Sequence, residues 1–264
     1  MRMTSTGILI DPKNPAEALG CYGILCLDHL LEKAICRSRF VPGRMEKCLD
    51  GEFRSYVFEF EHTDGYWDRF LSRCCGMLTT SDAEGLYLAE NRAMVLRLDW
   101  QESLRPAGQT TKRSTLWLPG PDKEFSPENV FKTQHDALRK LVSRGSERRY
   151  LFSRAGSGRP NALTGYNPLN ARGFLDAGGV FENKKAALYA SEWFCIIALQ
   201  GLRHYFAGLR EQGQFISYHV WKEWLPGCAA FAAMTGCHSS CEEYRSELIS
   251  KGRNKLIARL ATRA

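Results

Sequence analysis

The sequence predicts an α+β protein: a mixed sheet, a long N-terminal helix and a helical C-terminal half. Three observations carry this. Residues 53–61 (FRSYVFEFE) and 93–100 (AMVLRLDW) alternate apolar and polar side chains with the period of a half-buried strand. Other stretches, above all 19–34 and 184–210, repeat apolar residues at helical spacing. The composition, 44% hydrophobic and 25% charged over 264 residues, is that of a chain able to build a core. The length suits an N-terminal α+β subdomain over 1–120 and a basic, mostly helical subdomain over 121–264, or one integrated domain.

Taken in order, residues 7–10 read as a short strand and 11–15 as the turn feeding a helix. Asn14 suits the cap, Pro15 the first helical position, and Glu17, three residues after the cap, can reach back to the cap amide. Leu19, Tyr22, Cys26, Leu27, Leu30, Leu31 and Ala34 form one apolar face, where Gly20 and Gly23 admit close backbone approach. After the two strands, the Pro-, Gly- and Ser-rich 102–127 reads as a long loop or a boundary near residue 120. There follow a helix over 129–142, a strand over 149–154, an irregular segment over 155–170, an apolar helix over 184–210, a strand over 215–221 and a short apolar helix over 226–235. Residues 239–264 read as a terminal amphipathic helix, with Ser239 or Ser240 as cap, Glu242 and Glu243 in the first turn and Arg259 and Arg263 in the last.

The formal charge of +7 is uneven, since residues 139–172 hold eight cations against the single acid Glu147. These are Arg139, Lys140, Arg144, Arg148, Arg149, Arg154, Arg159 and Arg172, interleaved with Tyr150, Phe152 and Tyr166. Cations that neutralise phosphates release counterions and aromatic rings stack on bases, so this segment is the expected nucleic-acid contact. The glycines of Gly156-Ser157-Gly158 let backbone amides approach an anion beside it. A solvated basic face is the competing reading.

Other chemistries find little support. Gly156-Ser157-Gly158 lacks the third glycine of a dinucleotide fingerprint, and there is no Walker loop or G-x-S-x-G elbow. His135-Asp136 has no evident partner ligands, and Cys237-His238-x-x-Cys241 is half a zinc site without a second compact pair, so neither metal nor cofactor is expected. The six histidines are scattered over separate elements. Of these, His219 on a predicted strand is the candidate base for metal-independent RNA cleavage, against a structural, hydrogen-bonded role. No stretch approaches the ~20 apolar residues of a membrane helix. The first seven residues lack a signal-peptide layout, so a cytoplasmic protein with ten reduced cysteines and no membrane partner is expected.

The run Ile10-Asp11-Pro12-Lys13-Asn14-Pro15, followed by Ala18-Leu19-Gly20-Cys21-Tyr22-Gly23-Ile24-Leu25, resembles the opening of a small protein family encoded in type I-U (I-G) CRISPR cassettes. That opening is a strand, then DP-x-NP, then a helix bearing a Cys and a Gly before a leucine pair. Residues 96–100, 150–154 with 161–168, and 193–203 ahead of 218–226 are similar to later parts of the family in the same order. Ser153 and Thr164 depart from it where relatives carry acidic residues, which marks a divergent member. The resemblance implies a non-catalytic subunit or accessory factor of an RNA-guided antiviral complex, with guide RNA, target DNA and other CRISPR effector subunits as partners. Base pairing reads sequence in such complexes, so backbone contacts from the 139–172 segment would suffice. A metal-independent endoribonuclease that processes guide RNA and a purely structural assembly protein are the alternatives.

Overall fold

The computed structural model describes residues 2–47, 53–81, 85–97, 209–210, 215–251, 255–258 and 261–264. β1 (Met3–Ile10) leads into α1 (Pro15–Leu31), β2 (Ile35–Lys47), β3 (Phe53–Thr63) and α2 (Tyr66–Gly76). A small meander follows, of β4 (Thr79–Ser81), β5 (Gly85–Leu88) and β6 (Met94–Arg97). The later elements are β7 (Leu209–Arg210), β8 (Phe215–Trp221), β9 (Leu225–Pro226), α3 (Gly227–Met234), β10 (Cys241–Lys251), β11 (Lys255–Ala258) and β12 (Thr262–Arg263). They form a four-stranded sheet β1-β3-β2-β9, a five-stranded sheet β11-β10-β8-β7 with β12 also on β10, and the three-stranded β4-β5-β6.

This corrects the expected fold class. Among the described residues strands dominate, every pairing is antiparallel rather than mixed, and the helices have only 17, 11 and 8 residues. Among the described residues no long N-terminal helix dominates, and the described part of the C-terminal half is mostly strand, with the one short helix α3.

The tail shows why. Residues 241–251 form β10, not a helix, because β8 offers a full-length partner from Cys241↔Trp221 to Glu247↔Phe215. Tyr244 and Ser246, two apart, are buried, which is the period of a strand. The charges that suit a helix dipole are cross-strand partners instead: Glu242 Oε1 takes Arg263 Nη2 at 3.0 Å and also Lys222 Nζ. Residues 209–210, expected to end a helix, are strand β7.

In the first sheet, β3 turns Phe58 and Phe60 inward and pairs with β1 in unbroken register from Met3↔Thr63 to Ile10↔Tyr56. The order β1-α1-β2-β3-α2 with neighbours β1-β3-β2 follows the opening of a split βαβ unit. Above it lies α1, whose residues 17–28 are all buried. A helix apolar on every side belongs inside a fold, so the single apolar face expected of it is widened to its whole circumference, Gly20 and Gly23 included. It touches α2, α3, β2 and β8. The cap also differs in detail: the Glu17 carboxylate accepts the amide of Asp11 at 2.7 Å and the side-chain amide of the fully buried Asn14 at 3.4 Å.

After α3 the chain turns at Gly236, whose φ of 77° lies in the left-handed region. A Cβ there would stand 2.6 Å from His219 Nε2. Gly236→Ala is therefore expected to lower stability by about 1–3 kcal/mol, from backbone strain and overpacking together. Chemical denaturation reads it, and an unchanged midpoint would show that the imidazole swings aside without cost.

Candidate nucleic-acid interface

Arg139, Lys140, Arg144, Arg148, Arg149, Arg154, Arg159 and Arg172 lie outside the described residues, as do the helix over 129–142, the strand over 149–154, the loop over 155–170 and the boundary near residue 120. What the structure places are the turn after β1, the strand β8 and the outer face of the first sheet.

The turn and β8 are joined. The Tyr22 hydroxyl accepts the backbone N–H of His219 at 2.8 Å and donates to the carbonyl of the same residue. Tyr218 Oη donates to the Pro12 carbonyl at 2.7 Å, and Trp221 Nε1 to the Ser38 carbonyl at 2.9 Å. These polar tips are seated by ring packing, with Trp221 edge-on to Phe40 at 4.8 Å and stacked with Tyr22 at 6.1 Å. Tyr22 thereby satisfies a strand's backbone from a helix.

His219 is correspondingly unsuited to reach a substrate. It is 8% exposed, sits beneath Gly236, and places Nδ1 3.4 Å from the Met234 carbonyl. Near the half zinc motif, His238 Nδ1 is engaged by the Ser240 hydroxyl at 2.8 Å, while Cys241 Sγ donates to the Ala233 carbonyl at 3.6 Å and burial pushes its thiol up. Among the described residues no group of three or more His, Cys, Asp or Glu is arranged to hold a metal, and no two cysteines are joined.

The outer face of the first sheet is a different surface. Its rows run Ser5, Glu61, Arg37 and then Gly7, Glu59, Arg39, in the register that pairs the three strands. Arg37 binds Glu61 through Nε and Nη2, both at 2.8 Å, and Arg39 Nε meets Glu59 at 2.7 Å. The hydrogen bonds between them hold the Glu61 carboxyl below its usual range and raise Arg37. Trp224, in the link from β8 to β9, lies with both guanidiniums over its ring, 4.8 Å and 4.3 Å from the centroid. Gly7 keeps the row flat, since a Cβ there would meet Val57 Cγ1 at 2.8 Å. This cluster is absent from the sequence-derived site. Its signal is the matching alternation of Arg37-Ser38-Arg39-Phe40 and Phe58-Glu59-Phe60-Glu61, which aligns opposite charges only once the two strands are paired.

Among the described residues, fold and face together define a strand-rich structure with a polar outer sheet surface. No protein-family model, characterised protein or solved structure matches the chain. Among the described residues, no helix is long and apolar enough to cross a membrane.

Proposed function

We propose that this chain is a non-catalytic subunit or accessory factor of a type I CRISPR RNA-guided complex, acting in the cytoplasm and contacting guide RNA or target DNA through the backbone. The observation that supports this most is where the resembling stretches lie. The DP-x-NP turn with its helix and the later run 218–226 are separated by some 200 residues, yet they are hydrogen-bonded neighbours through Tyr22 with His219 and Pro12 with Tyr218. These two stretches are thus in direct contact. The guide-processing reading is the less favoured, because its base would be the buried His219.

Co-expression with the other subunits of such a cassette and a repeat-derived guide tests the proposal. The chain is expected to copurify with subunits and guide RNA after mild lysis. Copurification with neither would overturn it. Specific cleavage of repeat RNA in EDTA would establish the enzyme in its place, and assembly without any RNA contact would leave the structural reading.

A further inference from the structure

We infer that Trp224, Arg37 and Arg39 form a site for one nucleotide unit of a single-stranded nucleic acid on the outer face of the first sheet. This rests on the proposed function and names where that function meets its ligand among the described residues. Three features carry it.

The indole already lies against two guanidiniums, at 4.8 Å and 4.3 Å, and Trp224 remains partly exposed. An indole that stays partly exposed beside two cations offers a surface on which any base can stack. The arginines are positioned but not used up. Arg37 spends Nε and one Nη2 hydrogen on Glu61, and Arg39 spends Nε on Glu59. The other N–H groups of both have no partner among the described residues, and Arg37 is 48% exposed. A guanidinium gripped by a carboxylate along one edge presents its other donors to a phosphate, the pairing for which its fork is shaped.

Finally, Glu59 and Glu61 leave the face near neutral, so the site has little long-range pull. It grips by contact, stacking first and then short hydrogen bonds. Its occupant is therefore a strand already delivered to the face. Exposed Arg–carboxylate pairs are weak, so reorienting them for a phosphate costs little. A protein partner reading the same arginines is the competing occupant.

The test uses the full chain with short oligouridylate and oligothymidylate probes carrying a photoreactive 4-thio base. Crosslinks are expected on Trp224, with the two probes distinguishing RNA from DNA as the source. Trp224→Ala is expected to weaken binding about 5- to 150-fold, the worth of one base stack, and Trp224→Phe to restore most of it. Arg37→Gln with Arg39→Gln should weaken binding of either sequence alike, whereas Glu61→Gln should strengthen it by removing a like charge. Melting temperatures of these variants identify any that fail to fold, and Trp224→Phe and Glu61→Gln keep the test standing if one does. Crosslinks confined to other residues, with affinity unchanged in the folded variants, would overturn the site and leave the proposed function intact. A chain that binds no oligonucleotide and joins no complex would overturn that function as well. Loss of subunit assembly in the arginine variant with oligonucleotide binding unchanged would give the face to a protein partner and overturn the site.

Discussion

Trp221→Ala is expected to destabilise the protein by about 3–5 kcal/mol, the cost of emptying a large buried aromatic site. The indole is fully buried where β8 ends, edge-on to Phe40 and stacked on Tyr22, and it joins a strand of one sheet to the interior of the other. Truncation leaves a cavity there and strips the Ser38 carbonyl of its donor. Trp221→Phe would keep most of the packing and lose the hydrogen bond, so its cost should be near 1–3 kcal/mol. Urea denaturation followed by circular dichroism measures both. A loss under about 1 kcal/mol for the alanine variant would show that the surrounding rings close over the gap.

Tyr22→Phe removes a single oxygen yet is expected to cost about 2–6 kcal/mol, because that oxygen serves two buried backbone groups. The N–H and the C=O of His219 would both lose the bond to this hydroxyl, and a buried group left unsatisfied costs about 1–3 kcal/mol. Burial also holds the Tyr22 hydroxyl far above its ordinary value, so it stays protonated and can donate throughout the neutral range. The sign follows: a phenol whose folded-state pKa is raised contributes fully below its unfolded value of about 10 and loses that contribution as pH rises beyond it. The difference between wild type and Tyr22→Phe should thus be level through neutral pH and shrink in strong alkali. A phenylalanine variant as stable as wild type would mean that water enters and replaces the hydroxyl.

Elements whose evidence is local were readable from the sequence. β8 was expected over 215–221 and forms over Phe215–Trp221, and the strands near 53–61 and 7–10 are present but longer, because pairing between β1 and β3 extends both. Elements whose evidence is distant were not. β2 hides behind Pro42 and Gly43, where its pairing with β3 shifts register. α2 shows Tyr66, Trp67, Phe70 and Cys74 at helical spacing but enters through a left-handed Gly65 with no side-chain cap, so the usual start signal is missing. The tail carries a charge pattern that helix and strand satisfy equally well, and only the presence of β8 decides between them. The face built from Arg37, Arg39 and Trp224 depends on a contact between β2 and the link after β8, which no window of local sequence contains.

The hydrogen bonds that join β8 to the turn, to Tyr22 and to β2 span 183 to 206 residues of chain. A ribosome adding about 5–20 residues per second needs roughly 10–40 s to cover that interval. For that time the nascent N-terminal part waits with the Tyr22 hydroxyl unserved, the pocket for Trp221 empty and the stretch of β2 that β9 will cover open to any other strand. Messages cut short before codon 218 would release chains permanently in this condition, which makes them clients for chaperones and proteases from the moment they leave the tunnel.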